Sequence, residues 1–347
     1  MALTQSAEFF QRLKLEDLDG EIENLYDQIF KNSKSITFNN VRFAPSPTGD
    51  FHIGNLRTAL LAYKIARTSQ KSLWIRFEDI DRERSFEKFV ISQIHDMEKM
   101  GIAVPSPVDR QSSRLNFHYL VFLKLWREGA VYPCFCSRSE VQGALSSLAS
   151  APHQQMPLYS GHCRNTPVIN SMAKLPLNEF VGWRIKIVDS PNGPKGYDDF
   201  LVAKSDALNF VETHFPIKNF VPSYHFACVL DDFFGKSELI VRAWDLESSM
   251  LPQQNFMNIL FEKFSSCAPL RLPQVFHTSL VLDEHGNRLE KRTKGVTLKE
   301  LLEKIQLDLV KNRLWNSLPD TASESHPEKK IFGEGKKSLT LSDLGLR

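Results

Sequence analysis

The segment 41–81 constrains the fold more than any other, because it alternates strand, turn, helix and strand. Residues 41–44 form a short strand candidate, and the Pro- and Gly-rich residues 45–49 end it. An apolar pattern of helical period runs from about residue 55 to 68, and a second strand candidate covers 72–77. This order predicts a βαβ unit whose two strands lie parallel in the sheet of an α/β fold.

Three later strands and one long helix are predicted from the apolar runs that follow. The strand candidates precede polar residues that end them: 227–230 before Asp231 and Asp232, 238–241 before Arg242, and 279–282 before Asp283. Residues 298–316 carry Leu and Ile at three- and four-residue steps and are predicted to be helical. Residues 317–338 are rich in Ser, Pro, Glu, Lys and Gly, which predicts a loose tail.

The first 38 residues form a polar leader with one helical segment. Its apolar positions recur at three- and four-residue steps: Ile22, Leu25, Tyr26, Ile29 and Phe30. We expect this helix to dock on the body of the protein, and the alternative is a helix that binds a partner.

Composition and charge exclude several classes of protein. Of the 347 residues, 42% are hydrophobic and 24% are charged, which excludes wholesale disorder. The formal net charge of +2 gives no bulk preference for nucleic acid, although a local basic face remains possible. No run of about 18 apolar residues occurs, so no membrane partner is expected. The five cysteines and the absence of an export signal predict a cytoplasmic protein.

The turn between the first strand and the first helix is a candidate phosphate site. The first N–H groups of a helix have no partner within the helix, so they attract anions. Gly54 at the helix start would let a nucleotide approach the backbone closely. His52 could donate a hydrogen bond to a phosphoryl oxygen as charge develops there. A single histidine near a glycine is more often structural, so the interpretation depends on the whole string 42–55.

Charged residues at three strand ends form a candidate site for an acidic amino acid. Arg42, Glu78 and Arg242 each lie at or just after the end of a predicted strand. Ligands of open α/β sheets bind at the carboxyl ends of strands, where these side chains would converge. Arginine can hold a carboxylate with two parallel hydrogen bonds. The alternative is that Arg42 and Glu78 simply pair with each other.

Three of the five cysteines lie close together in the sequence and form a candidate zinc site. Cys134 and Cys136 are followed by Cys163, and thiolates suit a four-coordinate Zn²⁺. The fourth ligand would be His162 or Tyr159, and general chemistry favours His162, since imidazole is the commoner ligand. The alternative is a set of buried cysteines without metal.

The string 42–55 resembles the first signature of the class I aminoacyl-tRNA synthetases, the HIGH motif, in its glutamyl form. His52-Ile53-Gly54-Asn55 matches three of the four letters. Strings 76–81, 224–232 and 240–246 are also similar to glutamyl-branch segments, and the blocks follow in the correct order over about residues 40–300. The resemblance implies a Rossmann-like class I catalytic domain with an inserted zinc-binding subdomain.

The resemblance also implies roles for individual residues. The residues that match the family's glutamate site are Arg42, Ala44, Ser46, Glu78, Tyr224 and Arg242. The residues that match its ATP site are His52, Gly54, Asn55 and Lys291, of which His52 and Lys291 are the catalytic pair. A short branch, the glutamyl-queuosine tRNA(Asp) synthetases, has a Cys-x-Cys…Tyr-x-x-x-Cys zinc site. Cys134, Cys136, Tyr159 and Cys163 fit that pattern, so the resemblance favours Tyr159 over His162.

Two segments depart from the family pattern. Lys291 matches the second lysine of the KMSKS loop and Arg288 keeps the charge of the first, but Glu290 stands where a serine is expected. A carboxylate beside ATP phosphates is repulsive unless it turns away or pairs with a cation. Residues 208–223 are predicted to be an insertion.

These observations predict three parts: a leader (1–38), a catalytic core (39–305, with the zinc knuckle at 134–164) and a tail (306–347). Full glutamyl-tRNA synthetases continue into an anticodon-binding region, and the short distance from Lys291 to the last residue favours the short branch. The expected activity uses ATP and Mg²⁺ to convert L-glutamate into glutamyl-adenylate. The glutamyl group then passes to queuosine in the anticodon of tRNA(Asp), and the enzyme is expected to be a monomer with one structural Zn²⁺. The alternatives are a minimal glutamyl-tRNA synthetase that charges a 3′ end and a non-catalytic glutamate- or nucleotide-binding paralogue.

Overall fold

A computed structural model describes residues 17–137, 139–141, 159–164, 180–187, 199–207, 217–283, 296–319 and 338–346. Within these residues the α-helices are α1 (Leu18–Tyr26), α2 (Ile53–Thr68), α3 (Glu87–Lys99), α4 (Leu115–Arg127), α5 (Tyr224–Phe234), α6 (Met250–Lys263), α7 (Leu298–Leu302) and α8 (Leu307–Asn316). The strands are β1 (Asn40–Phe43), β2 (Leu73–Phe77), β3 (Asp109–Arg110), β4 (Val131–Cys134), β5 (Phe180–Ile185), β6 (Leu201–Ala207), β7 (Ile217–Pro222), β8 (Ser237–Ala243), β9 (Gln274–Thr278), β10 (Leu280–Leu282) and β11 (Ser338–Thr340).

The chain divides into two compact units, and one of them contains the predicted βαβ segment. This unit, formed by residues 33–112, 235–247 and 269–347, is called the parallel-sheet unit below. Five of its strands form one parallel sheet in the order β3-β2-β1-β8-β9. The strand, helix and strand predicted within 41–77 are confirmed as β1, α2 and β2, and the strand predicted at 238–241 is part of β8. The strand order reverses at β1, and ligands of open α/β sheets bind at such a point, so we expect the ligand at the carboxyl ends of β1 and β8.

The apolar core of the parallel-sheet unit extends to the last described residues of the chain. The helix predicted over 298–316 is two helices, α7 and α8, and Leu301 and Leu314 are buried in the same core. Their common core explains why the apolar spacing continues across the break. The loose tail predicted for 317–338 lies mostly outside the described residues. Residues 338–346 correct the expectation of a tail that is loose throughout, because β11 pairs in parallel with β10 and Leu344 is buried.

The second unit, formed by residues 1–32, 113–234 and 248–268, contains an antiparallel sheet. Its strands lie in the order β4-β5-β6-β7. The leader helix belongs to this unit, where the rings of Tyr26 and Phe30 pack against Phe234 with centroids 5.9 and 6.2 Å apart. The described part of the leader therefore docks on the protein, as its apolar spacing predicted.

One prediction for this unit needs correction. The strand predicted at 227–230 is wrong, because these residues lie in α5. Every residue from Phe226 to Phe234 is buried, and a run that is apolar on all sides has the same appearance in a buried helix and a buried strand. The second part of the predicted insertion, Ile217–Pro222, is the strand β7 and pairs with β6. In the part of the chain that the structure describes, no helix is both long and apolar enough to cross a membrane.

Candidate functional site

The turn between β1 and α2 presents side chains rather than the unpartnered N–H groups that were expected. The N–H groups of residues 53–56 all donate within the protein, to the Val296 carbonyl oxygen, to His52 Nδ1 and to the His52 carbonyl oxygen. His52 is the N-cap of α2, and its Nδ1 accepts a hydrogen bond from the Gly54 N–H over 3.1 Å. Because Nδ1 accepts this bond, the proton of the neutral ring is on Nε2, which is therefore the atom that can donate. The Asn55 side chain follows at once, and among the described residues its buried Oδ1 has no hydrogen-bond partner. One donor and one acceptor thus lie at the start of α2.

Gly54 is required by the close approach of the His52 ring. A Cβ at position 54 would lie 2.9 Å from His52 Cε1 and 3.0 Å from its Nδ1. Such distances are shorter than ordinary contacts, so any larger residue would displace the ring. The predicted role of Gly54 is to give close access to the backbone. Its lack of a side chain also leaves room for the His52 ring.

The loop that carries Ala44 and Ser46 is held by a residue that sequence reasoning missed. Gln93 of α3 is fully buried, and its Nε2 donates to the carbonyl oxygens of Ser46 and Gly49 over 3.2 and 2.8 Å. Ala44 and Ser46 themselves are half-buried. The one signal in the sequence that could have indicated this contact is a glutamine at a position of the apolar helix face.

The predicted lysine loop lies outside the described residues, but both of its ends are fixed near the start of α2. Arg288, Glu290 and Lys291 belong to the segment 284–295. Where the chain resumes, Val296 accepts a hydrogen bond from the Ile53 N–H over 3.0 Å. On the other side, Val281 of β10 comes within 3.6 Å of the Cβ position at Gly54. The strand predicted at 279–282 is confirmed as β10.

Two buried arginines lie on one face of the parallel sheet. Arg42 is in register with Ile240, so Arg242 is two residues further along β8 and points to the same side. Only 2% of Arg42 and 4% of Arg242 is exposed. Buried guanidinium groups at the carboxyl ends of strands are suited to hold a carboxylate with paired hydrogen bonds.

Glu78 has a different partner from the one that the alternative interpretation named. Its Oε1 accepts a hydrogen bond from Arg76 Nη2 over 3.1 Å, and 8% of Glu78 is exposed. The Arg76 guanidinium also lies over the Trp74 ring, 5.0 Å from its centroid. The Glu78 carboxylate is therefore held beside the end of β2 by its own strand, where it can act as an acceptor.

Arg242 is held by His277, a second residue that sequence reasoning missed. Arg242 Nε donates to His277 Nε2 over 3.1 Å, and the two residues are register partners on β8 and β9. Burial and then the Arg242 charge lower the pKa of His277 to about 4, so the ring is neutral at physiological pH. The sequence shows that His277 lies next to a predicted strand. It does not show that His277 is the register partner of Arg242.

Tyr224, the remaining predicted glutamate-site residue, is the first residue of α5 in the second unit. Its side chain is 37% exposed and its ring centroid lies 5.3 Å from that of His225. Its predicted role stays a prediction.

The cysteines predicted to bind zinc come together at the end of β4. The Sγ atoms of Cys134, Cys136 and Cys163 all lie within 4.8 Å of one another. The buried Tyr159 hydroxyl lies 3.4 Å from the Sγ atoms of both Cys134 and Cys136. The Cys163 N–H donates to the same hydroxyl over 2.9 Å. Four candidate ligands are thus clustered, whereas the His162 side chain is exposed.

A partly buried cation adjoins this cluster. Arg184 Nε donates to Cys134 Sγ over 3.3 Å, and the guanidinium lies over the Tyr159 ring, 4.1 Å from its centroid. The pKa of Cys134 is lowered, first by the Cys163 thiol and then by Tyr159 and Arg184. These contacts favour a thiolate at Cys134, which is the form that binds metal.

The fold and the signature between β1 and α2 agree with a match to a known family. The family described as tRNA synthetases class I (E and Q), catalytic domain, matches residues 40–315. The chain belongs to this family. Membership agrees with the parallel sheet and with the position of the signature between β1 and α2.

Individual relatives include both glutamyl-Q tRNA(Asp) synthetases and glutamate–tRNA ligases. The chain is 34% identical over 266 residues to the glutamyl-Q tRNA(Asp) synthetase of Nocardia farcinica, covering 74% of this chain and 77% of that protein. It is 30% identical over 315 residues to glutamate--tRNA ligase 2 of Syntrophus aciditrophicus, covering 88% of this chain. The match spans 60% of that ligase.

A solved structure supports the fold. The glutamate-tRNA synthetase of Elizabethkingia anophelis aligns with a TM-score of 0.55 at 21% identity, over 80% of this chain and 61% of that one. A likeness at this identity supports a class I α/β catalytic fold.

Proposed function

We propose that the protein activates L-glutamate with ATP to form glutamyl-adenylate. The observation that carries the proposal is the joint presence, in one unit, of a signature helix start and two buried arginines at adjacent strand ends. The first supplies a histidine donor for the phosphates of ATP, and the second suits an acidic amino acid. Family membership supports both assignments.

In this proposal each residue has a distinct task. The α-carboxylate of glutamate attacks the α-phosphorus of ATP, and pyrophosphate leaves. Nε2 of His52 donates to the phosphoryl oxygens as negative charge develops, and Lys291 adds a positive charge. Mg²⁺ accompanies ATP as its counter-ion. Asn55 Oδ1 offers an acceptor for a donor group of the nucleotide.

The glutamate itself is proposed to lie across the ends of β1 and β8. Arg242 would hold the side-chain carboxylate, with Arg42 beside it. Glu78 would accept from the ammonium group, while Ala44 and Ser46 complete the site within the parallel-sheet unit. The fixed positions of Arg242 and Glu78, each held by a neighbour, support this division of tasks.

We further propose that the acceptor of the glutamyl group is queuosine in the anticodon of tRNA(Asp). Two observations support this finer assignment. The first is the likeness to a glutamyl-Q tRNA(Asp) synthetase over 77% of that protein. The second is the tyrosine hydroxyl among three thiols, the ligand set that the resemblance associates with that branch.

Mapping the labelled nucleotide tests this assignment. The protein would be incubated with ATP, labelled glutamate and tRNA(Asp) that carries queuosine, with the same tRNA lacking queuosine as the matched control. We expect the label on the queuosine nucleoside after nuclease digestion, and no label on the control. A label on the terminal adenosine would instead identify a glutamate–tRNA ligase, the activity named for the relative from Syntrophus aciditrophicus.

We also propose one structural Zn²⁺ held by Cys134, Cys136, Cys163 and Tyr159. Tetrahedral Zn²⁺ with bonds of about 2.3 Å requires sulfur atoms about 3.8 Å apart. The Cys136 and Cys163 Sγ atoms are 3.7 Å apart, so the residues fit. The bound ion would join β4 to the segment 159–164, and the Arg184 charge would offset part of the negative charge of the ligands.

Metal content tests this site. Elemental analysis of the purified protein should give one zinc per chain, and Cys136→Ser should lower it toward zero because three ligands hold the ion far less tightly. Cys267→Ser is the matched control, since Cys267 is a buried cysteine outside the cluster and should leave the zinc content unchanged. Full zinc in Cys136→Ser would refute the ligand set.

A further inference from the structure

Arg242 is held by a hydrogen bond at its Nε atom, and this bond limits the orientation of its guanidinium group. Its Nε–H is donated to His277 Nε2 over 3.1 Å. A guanidinium group recognises a carboxylate through two parallel N–H bonds. When Nε is engaged on one side, the edge formed by the two Nη atoms is the edge that can face a ligand. The contact therefore sets the orientation of the guanidinium plane.

His277 is itself fixed from three sides. Its Nε2 accepts from Arg242, and its other ring nitrogen donates to the Leu246 carbonyl oxygen. These two bonds specify one tautomer, with the proton on Nδ1. The Trp244 ring packs edge-on against the imidazole with centroids 5.8 Å apart, and only 6% of His277 is exposed.

The chain of contacts runs from the main chain to the proposed ligand. The carbonyl of Leu246 orients His277, and His277 orients Arg242 across the β8–β9 pair. A neutral acceptor suits this position, since a carboxylate there would neutralise the guanidinium that the substrate needs. A protonated imidazole would repel the guanidinium instead.

We infer that His277 is a positioning residue that orients Arg242 for the side-chain carboxylate of the amino-acid substrate. The inference rests on the proposed function and deepens it. His277 does not touch the reacting atoms, so its loss should weaken the binding of glutamate and leave the chemistry on ATP largely intact. Preorganisation of this kind lowers the free-energy cost of ordering a long side chain on binding.

A pair of matched substitutions separates this role from a structural one. In His277→Asn the short amide retains a donor for the Leu246 carbonyl, but it places no acceptor at the position of Nε2. In His277→Gln the longer side chain places its Oε1 near that position. Both variants are polar and similar in size, so comparable thermal unfolding is expected of the two.

The measurement is glutamate-dependent ATP–pyrophosphate exchange, with glutamate and ATP varied separately. We expect His277→Asn to raise the KM for glutamate about tenfold, the typical effect of losing a hydrogen bond to a charged group, and to leave the KM for ATP within about twofold. His277→Gln should restore most of the loss. In an Arg242→Lys background, where Nε–H is absent, His277→Asn should add little.

Each outcome has a distinct meaning. An unchanged KM for glutamate in His277→Asn, an equal loss in the Asn and Gln variants, or a fall in kcat alone would overturn the inference. The proposed function would survive all three results. A wild-type protein without glutamate-dependent exchange would overturn the proposed function and the inference with it.

Discussion

Gly54 shows how a single residue controls the candidate ATP site. A Cβ at this position would come within 2.9 Å of the His52 ring. We predict that Gly54→Ala displaces the ring and lowers adenylate formation at least tenfold, measured as ATP–pyrophosphate exchange. The stability change should stay within about 1 kcal/mol, because alanine favours the helix while the cap is weakened.

A matched control for this substitution exists in α1. Gly20 lies against its own N-cap, and a Cβ there would come within 2.5 Å of Asp17 Oδ2. Gly20→Ala should therefore disturb a helix start in the same way without a loss of exchange activity. Normal exchange by Gly54→Ala would show that the His52 position is not needed.

Among the elements, α3 holds the loop of Ser46 and Gly49 through Gln93. The same helix carries a buried carboxyl group, Asp96, whose charged form is unfavourable there. Asp96 is 9% exposed, and burial, with a smaller contribution from Asp50, raises its pKa to about 6. The folded protein then holds the proton more tightly than the unfolded chain, whose carboxyl has a pKa of 3.8. Stability that is present near pH 4 is therefore lost as the pH rises through about 6.

We predict that Asp96→Asn raises the free energy of unfolding at pH 7 by about 1–2 kcal/mol, since it removes a buried charge. Urea unfolding of both proteins at several pH values measures the difference, which should shrink toward pH 4. Asp308→Asn, at an exposed position on α8, is the control for the change in net charge. A difference that is constant with pH would contradict the assignment to Asp96.

How much could be predicted from sequence also differs between elements. The strand and helix pattern of 41–77 was predictable because turn residues end each element and the period changes from two to 3.6. The interpretation of 227–230 was wrong because a run that is apolar on every side has no period. Gln93 and His277 were not predictable, because their roles depend on the loop packing and strand register that bring distant residues together.

At the scale of the whole molecule, the candidate site is assembled from distant parts of the sequence. β1 and β2 precede the segment 113–234, and β8 and β9 follow it, yet β1 and β8 are neighbours in one parallel sheet. The family match over residues 40–315 spans all of these parts. The sequence strings predict the site residues, and the sheet order explains why Arg42 and Arg242 share one face.

The reaction proposed for the carboxyl ends of β1 and β8 is the activation of glutamate with ATP. Glutamate-dependent ATP–pyrophosphate exchange measures that step directly, with aspartate and glutamine as comparison substrates and Lys291→Ala as the matched variant. We predict exchange with glutamate, little with the other two amino acids, and a loss of orders of magnitude in Lys291→Ala. No exchange with glutamate, or full exchange in Lys291→Ala, would contradict the account.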